Sequence, residues 1–285
     1  MVILQNSYDN SPSLYLVPTP IGNFSDMTER GIEILKFCDY ILCEDTRTSS
    51  VLLKHFDINK PLISCHEFNE NKVKDKILNL LKDGKNLALI TDQGSPVIND
   101  PGYVVSKYVI DNGYNVIGLP GATAFAPALM MSGLNPNRFL YYGFLNIHHN
   151  KRIDELKSLK NLPFTIIFYE APHRIIDMLN DLKEIFGDRN ICIAREISKI
   201  HEEVLRGSIS EVTSKLSTLK GEYVIIVDGN YEIHDYSSLS VYEHVKLYLS
   251  DMKEMDAIKK VAKERGVPKS VIYKEYMDVK KGDSK

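Results

Sequence analysis

The chain has 285 residues, of which 44% are hydrophobic and 26% charged, and its formal net charge is −3. This length and composition suit a folded protein with one large domain or two smaller ones and a sizeable core. They argue against a uniformly basic nucleic-acid binder. The sequence contains no run of about 18 apolar residues, so it predicts no membrane span.

The start of the chain and its cysteines indicate where the protein works. Residues 1–13 are polar and predict a short lead-in rather than a signal peptide. The four cysteines form no Cys-x-x-Cys pair, and three lie in or beside apolar runs. We therefore expect buried, reduced thiols, no metal site and a cytoplasmic protein.

Residues 14–120 alternate short apolar runs with amphipathic stretches, which predicts an α/β domain with a mainly parallel sheet. The predicted strands are 14–17, 40–43, 62–65, 87–91 and 116–119. The predicted helices are 29–37, 49–55, 72–81 and 104–112.

Residues 121–230 predict a second α/β domain, because the spacing of strands and helices changes after a small-residue helix at 122–132. Strands are expected at 139–144, 164–169, 191–194, 203–207 and 223–227, with helices near 151–159, 175–186 and 210–216. Two adjacent strand-like stretches around Ile193 and Val204 indicate a mixed sheet.

Residues 241–285 predict a small helical unit that follows a polar link. Ile258, Val261 and Ala262 form a helical stripe, Gly266 ends that helix, and Pro268 begins another. The pattern fits a helix-turn-helix-like pair or, equally well, a helical packing or dimerisation tail. This segment has 11 Lys/Arg against 8 Asp/Glu, so it carries +3 while the rest of the chain is acidic.

Three predicted strands end in turns rich in Pro and Gly, at residues 18–23, 92–102 and 120–124. Ligands of open α/β sheets bind at the carboxyl ends of the strands, and such turns offer main-chain atoms to a ligand. Neither a dinucleotide-binding glycine pattern nor a nucleotide-triphosphate loop is present. The turns therefore predict a ligand site without identifying its ligand.

The identity of the ligand comes from a resemblance. Six ordered blocks resemble those of the ribosomal RNA small subunit methyltransferase I family, which belongs to the tetrapyrrole-methylase superfamily. The blocks are 18–23, 44–47, 92–102, 119–123, 168–174 and 194–207. The resemblance implies two α/β domains of the tetrapyrrole-methylase type, S-adenosylmethionine as methyl donor, and 2′-O-methylation of a cytidine in the decoding region of 16S rRNA.

The resemblance also implies site residues. Those expected to bind the cofactor are Pro20, Ile21, Gly94, Ser95, Ile98, Thr123, Ala124, Tyr169 and Ala194. For catalysis we consider Glu44, Asp45 and Lys199, although Asp45 could instead cap a helix. Arg47, Arg174 and Arg195 are candidates for contact with RNA phosphates, or for structural ion pairs.

Two other functions stay open at this stage: a methyltransferase acting on a tetrapyrrole-like small molecule, and a non-catalytic helix-turn-helix regulator. The acidic average favours rRNA within the assembled 30S subunit over free rRNA as the substrate. The superfamily resemblance implies a homodimer.

Overall fold

The computed structural model describes residues 4–7, 9–216, 220–230, 239–250 and 252–282. Two compact units make up the chain, Met1–Asn230 and Tyr231–Lys285. Parts of the predicted lead-in, most of the polar link and residues 251 and 283–285 of the predicted helical unit lie outside the described residues. No described helix is both long and apolar enough to span a membrane.

The first sheet of unit Met1–Asn230 contains five parallel strands in the order β3-β2-β4-β1-β5. The strands are β1 (Ser13–Leu16), β2 (Tyr40–Cys43), β3 (Leu62–Ser64), β4 (Leu87–Leu89) and β5 (Asn115–Gly118). Because β1 lies between β4 and β5, the three Pro/Gly-rich turns that follow these strands are neighbours at one edge.

Four helices cover this sheet, and their apolar faces form one cluster on each of its sides. They are α1 (Glu29–Phe37), α2 (Thr46–His55), α3 (Glu70–Lys82) and α4 (Tyr103–Asp111). The parallel sheet predicted from the alternating pattern is confirmed. The sequence placed the start of α2 three residues too late, because Asp45 caps the helix before its first apolar residue.

The second sheet has the order β6-β7-β10-β8-β9 and is mixed: β6 and β7 are parallel, and the remaining pairs are antiparallel. Its strands are β6 (Phe139–Phe144), β7 (Thr165–Glu170), β8 (Asn190–Arg195), β9 (Glu203–Ser208) and β10 (Tyr223–Val227). Ala194 pairs with Val204 across β8 and β9, which confirms the predicted mixed sheet.

Helices α6 (His149–Leu159), α7 (Ile175–Phe186) and α8 (Ile209–Lys215) pack on one face of the second sheet, and α5 (Phe125–Ser132) packs on the other. Helix α5 begins three residues later than the sequence predicted. Residues 122–124 instead form a loop at the carboxyl end of β5. Whether the unit divides into two domains at residues 120 and 121 stays a prediction.

Unit Tyr231–Lys285 contains α9 (Val241–Lys246), α10 (Glu254–Glu264) and α11 (Lys269–Gly282) around their own small core. Gly266 has a φ of +65° between α10 and α11, which explains why glycine stands at this turn. The predicted helix pair is present. Helix α9 was not predicted, because its six residues are too few for a periodic signal, although Ser240 and Glu243 form its capping box.

All four cysteines are buried and free. Burial raises the pKa of Cys38 and Cys65 to about 12 and that of Cys192 to about 11. We therefore expect a thiol reagent such as Ellman's reagent to modify none of them within minutes at pH 8 in the folded protein. In guanidinium chloride all four should react, and rapid reaction without denaturant would contradict their burial.

Candidate active site

A cavity of about 430 Å³ opens where the strand-end loops of the two sheets meet within unit Met1–Asn230. Its volume is within the range typical of small-ligand sites. The first sheet contributes the loops after β1, β4 and β5, and the second sheet contributes the ends of β6 and β7, the loop after β8 and the start of β10. The lining residues include Ile21, Ser95, Ile98, Thr123, Ala124 and Tyr169, six of those predicted to bind a cofactor.

The remaining three predicted cofactor residues lie close behind this lining. Gly94 is in a short antiparallel bridge with Thr19, formed by backbone hydrogen bonds of 2.8 and 3.0 Å. Pro20 follows Thr19 in the chain and is buried. Ala194 is buried in β8 and pairs with Val224, which does line the cavity.

Hydrogen bonds hold the three loops of the first sheet together. Besides the bridge between Thr19 and Gly94, the Ser95 hydroxyl donates to the carbonyl oxygen of Ala122 at 3.1 Å. The hydroxyl of Thr19 donates to the carbonyl oxygen of Thr91 at 3.0 Å. The wall that these loops form is thus fixed by contacts between main chain and short side chains, as the turns predicted.

Three side-chain contacts join the two groups of loops. The Tyr169 hydroxyl accepts a hydrogen bond from the Phe125 backbone N–H at 3.0 Å, and the Tyr141 hydroxyl donates to Asn99 at 2.6 Å. The Ser198 hydroxyl is hydrogen-bonded to the Asp26 carboxylate. Loops of both sheets therefore form the walls of the cavity, and hydrogen bonds connect these loops.

Unfavourable backbone conformations concentrate in two cavity loops. Of the six described non-glycine residues with positive φ, Val97 and Asn99 lie in the loop after β4, and Glu196 and Ser198 lie in the loop after β8. Each such residue costs on the order of 1–3 kcal/mol, and this strain is typical of ligand sites. The position of these residues is therefore a further indication that the cavity is a ligand site.

The charged side chains that line the cavity are all acidic. Four carboxylates line the cavity, those of Asp92, Asp100, Glu170 and Glu222, and no Lys, Arg or His in the described ranges does so. Glu170 is buried and forms an ion pair with Arg174 at 3.2 Å, and Glu222 forms one with Lys199 at 3.0 Å. This lining favours a ligand with positive charge and disfavours phosphate groups.

Asp100 is the most perturbed carboxyl group of the cavity. Burial, together with the neighbouring carboxylates of Glu44 and Asp92, raises the pKa of Asp100 to about 7. Burial and Asp92 likewise raise the pKa of Glu44, which was one of the predicted catalytic residues. In the described part of the chain, these carboxylates are not arranged to hold a metal ion.

The other two predicted catalytic residues already have partners in the fold. Asp45 caps α2 by accepting the backbone N–H of Arg47, and the guanidinium of Arg47 lowers the pKa of Asp45 to about 2. Lys199 is bound by Glu196 and Glu222, both at 3.0 Å, and these contacts outweigh its partial burial and raise its pKa. This geometry favours structural roles for both residues.

The three arginines predicted to contact RNA differ in accessibility. The side chain of Arg47 is 89% exposed at the end of β2, beside Asp45. Arg174 is 16% exposed and donates to the carbonyl oxygens of Leu145 and Asn146. Arg195 is 14% exposed and pairs with Glu203 at 3.0 Å. RNA contact by these residues stays a prediction. Arg47 is the most exposed of the three and so the easiest for an RNA phosphate to reach.

Sequence reasoning missed Asp92, Asp100 and Glu222 as site residues. Two acidic residues in one strand-end turn could have indicated an acidic site, but the Pro and Gly residues of 92–102 directed attention to main-chain contacts alone. Glu222 gave no such signal, because it enters the cavity from the amino end of an antiparallel strand.

Comparisons with known proteins identify the family of this chain. Residues 13–213 match the family of Tetrapyrrole (Corrin/Porphyrin) Methylases. Ribosomal RNA small subunit methyltransferase I from Bacillus subtilis (strain 168) is 45% identical, over 92% of this chain and 93% of that protein. The protein of the same name from Escherichia coli O157:H7 is 38% identical, over 94% of this chain and 96% of that protein.

Solved structures share the fold at low sequence identity. Diphthine synthase has a TM-score of 0.62 at 13% identity, over 76% of this chain and 90% of the other. The uroporphyrin-III C-methyl transferase of Thermus thermophilus complexed with S-adenyl homocysteine has a TM-score of 0.55 at 15% identity, over 76% and 97%. The chain belongs to the tetrapyrrole methylases and, within them, to the ribosomal RNA small subunit methyltransferase I family.

Proposed function

We propose that this protein methylates the 2′-hydroxyl of a cytidine in the decoding region of small-subunit rRNA, with S-adenosylmethionine as methyl donor. The observation that carries the proposal is the acidic cavity formed by strand-end loops. Relatives that are 38–45% identical over nearly the whole chain carry the name of an rRNA methyltransferase.

The cavity fits this methyl donor. S-adenosylmethionine carries a sulfonium, an ammonium and a carboxylate group, so its net charge is positive, and the carboxylates of Asp92 and Asp100 complement that charge. The adenosine part has no phosphate, in keeping with a lining without basic residues over the described ranges. Apolar Ile21 and Ile98 and the ring of Tyr169 would hold the adenosine, and Thr123 and Ala124 would offer main-chain groups. When bound, the donor supplies an activated methyl group.

The protein's own task is to orient the ribose hydroxyl and take its proton. A general base works best with a pKa near the working pH, which is the condition of Asp100. We propose Asp100 as the proton acceptor, and Glu44 as a positioning residue that helps to raise the pKa of Asp100. Alignment of the hydroxyl with the methyl group supplies the rest of the rate enhancement.

The test of this function uses labelled S-adenosylmethionine with three acceptors: assembled 30S subunits, free 16S rRNA and a uroporphyrinogen. We expect methyl incorporation into the 30S subunit above all, and mass spectrometry of nuclease digests should locate it on a cytidine ribose. Incorporation into the uroporphyrinogen alone would refute the proposal. Subunits from cells that lack the protein are the correct acceptor, because their site is unmodified.

The same proposal places the protein in the cytoplasm, where small subunits are assembled, and takes it to be a homodimer. The superfamily resemblance supports the dimer. Light scattering on the purified protein should give twice the monomer mass of 32.4 kDa. A monomer mass at micromolar concentration would contradict the dimer and leave the activity assay unaffected.

A further inference from the structure

The loop after β3 holds an exposed aromatic side chain at the same sheet edge as the cavity. Phe68 is 85% exposed. Its ring lies beside the His66 ring, with their centroids 6.2 Å apart. A phenylalanine side chain gains free energy when it is buried, so an exposed ring next to the cavity edge can gain free energy by covering itself with a bound partner.

Several hydrogen bonds hold the loop that carries Phe68. Asn69 accepts a hydrogen bond from the His66 backbone N–H at 2.8 Å and donates one to the carbonyl oxygen of Ser64 at 3.1 Å. Next to it, the buried Glu70 carboxylate accepts the backbone N–H groups of Val104 and Val105 at the start of α4. The ring of Phe68 is therefore presented on a fixed support.

The position of this loop connects it to the cavity. Strand β3 is the neighbour of β2, and the Cys65 backbone N–H donates to the carbonyl oxygen of Cys43 at 2.8 Å. Glu44 follows Cys43 directly and acts on Asp100, which lines the cavity. Phe68 and His66 thus lie on the far side of Glu44 from the cavity, along one edge of the sheet.

Other exposed apolar side chains occur at strand ends of both sheets. Phe24 and Ile98 follow strands of the first sheet, and Phe144, Ile147 and Ile200 lie at or after the ends of β6 and β8 in the second, with exposures from 41% to 94%. In contrast, three basic side chains near the cavity form ion pairs within the protein: Arg174, Arg195 and Lys199. Of the basic residues considered for RNA contact, only Arg47 has a well-exposed side chain, so this surface offers few positions for phosphates beside several exposed apolar side chains.

We propose that Phe68 is the stacking platform for a nucleobase of the single-stranded RNA segment that is methylated. This inference rests on the proposed function, since it concerns the same reaction. Single-stranded RNA is commonly bound by stacking of its bases on aromatic rings, worth about 1–3 kcal/mol per base. By stacking a base beside Glu44, Phe68 would fix the strand so that the target ribose reaches Asp100.

The test compares Phe68→Ala, Phe68→Leu and Phe68→Trp with the natural protein. Alanine and leucine should raise KM for 30S subunits roughly 10- to 100-fold with little change in kcat, while tryptophan restores the natural KM. Affinity for S-adenosylmethionine, measured by calorimetry, should be the same in all four. Phe37→Ala is the matched control: Phe37 is 58% exposed but lies at the end of α1, away from the carboxyl ends of the strands.

A natural KM in Phe68→Ala, or equal KM values for leucine and tryptophan, would overturn the stacking role. Failure of the proposed function would look different, since the natural protein would then transfer no methyl to rRNA. In that event, fluorescence anisotropy with a labelled cytidine-containing single-stranded oligoribonucleotide still tests whether Phe68 binds RNA. Weaker binding by Phe68→Ala but not by Phe37→Ala supports the inference, and equal binding refutes it.

Discussion

Asp100→Asn is expected to lower kcat/KM for rRNA methylation by roughly 100- to 10,000-fold, the usual contribution of a general base. Asparagine keeps the shape of the side chain but cannot accept the proton. Affinity for S-adenosylmethionine should change much less, because Asp92, Glu170 and Glu222 still line the cavity. Calorimetry and a methylation assay separate the two quantities.

The matched control is Asp111→Asn, which removes the same charge from the exposed end of α4. It should leave kcat/KM unchanged. Methylation by Asp100→Asn within tenfold of the natural rate would exclude Asp100 as the proton acceptor.

The dependence of kcat/KM on pH tests the role of Asp100 independently. Because Asp100 accepts a proton only when ionised, kcat/KM should rise with pH and level off above about 7, the pKa of this group in the free protein. Asp100→Asn should lack this rise in its residual activity. A natural profile that is flat from pH 5 to 8 would contradict the assignment.

Asp100 also has a predictable effect on stability. Since its pKa is raised above the unfolded value of 3.8, the folded state binds the proton more tightly. The contribution of Asp100 to stability therefore falls as the pH rises from about 4 to about 7. Asp100 is only partly buried, so solvent screens part of the effect, and Asp100→Asn should be more stable than the natural protein at pH 8 by on the order of 2 kcal/mol. At pH 4 the two proteins should unfold alike.

Gly102→Ala is expected to damage both stability and the cofactor site. Gly102 precedes α4 with a φ of +120°, and a Cβ there would overlap Leu89 Cδ2 in the buried strand β4. Overpacking and backbone strain together should cost about 2–4 kcal/mol. To relieve the overlap, the loop that carries Ile98 and Asp100 must move, so affinity for S-adenosylmethionine should fall at least about tenfold.

Gly113 provides the control at the other end of the same helix. Its φ is +80°, but a Cβ at this position would have no heavy atom within 4 Å. Gly113→Ala should therefore cost only about 1 kcal/mol, from backbone strain, and leave cofactor affinity intact. Thermal unfolding and calorimetry on both variants check the pair, and equal effects would show that contact with Leu89 does not matter.

Much of this fold could be predicted because its strands are apolar runs with clear turns. Strands β2, β6 and β10 and helices α1 and α7 begin and end where the spacing placed them. The sequence also indicated the turns that line the cavity, since Pro and Gly mark turns wherever they occur. Failures occurred at short elements such as α9 and at the start of α5, where loop residues have helix-forming side chains.

The charges of the site were harder to predict, because a pKa depends on neighbours that are distant in the sequence. Asp100 is perturbed by Glu44, 56 positions earlier in the chain, and by Asp92. Conversely, Arg174, Arg195 and Lys199 look available in the sequence but are engaged by Glu170, Glu203 and Glu196. Pattern alone does not distinguish a free charge from a paired one.

The side-chain contacts that join the two groups of loops bear on how the protein folds. The hydrogen bond between Tyr141 and Asn99 spans 42 positions, and the one between Ser198 and Asp26 spans 172. Contacts between such distant residues form only after the intervening chain has been ordered, since closing long loops costs entropy. In hydrogen exchange, we therefore expect amides at 22–26 and 196–202 to exchange before those of β1 and β8. We therefore expect the loops of the ligand site to assemble late in folding and to open before the strands that carry them.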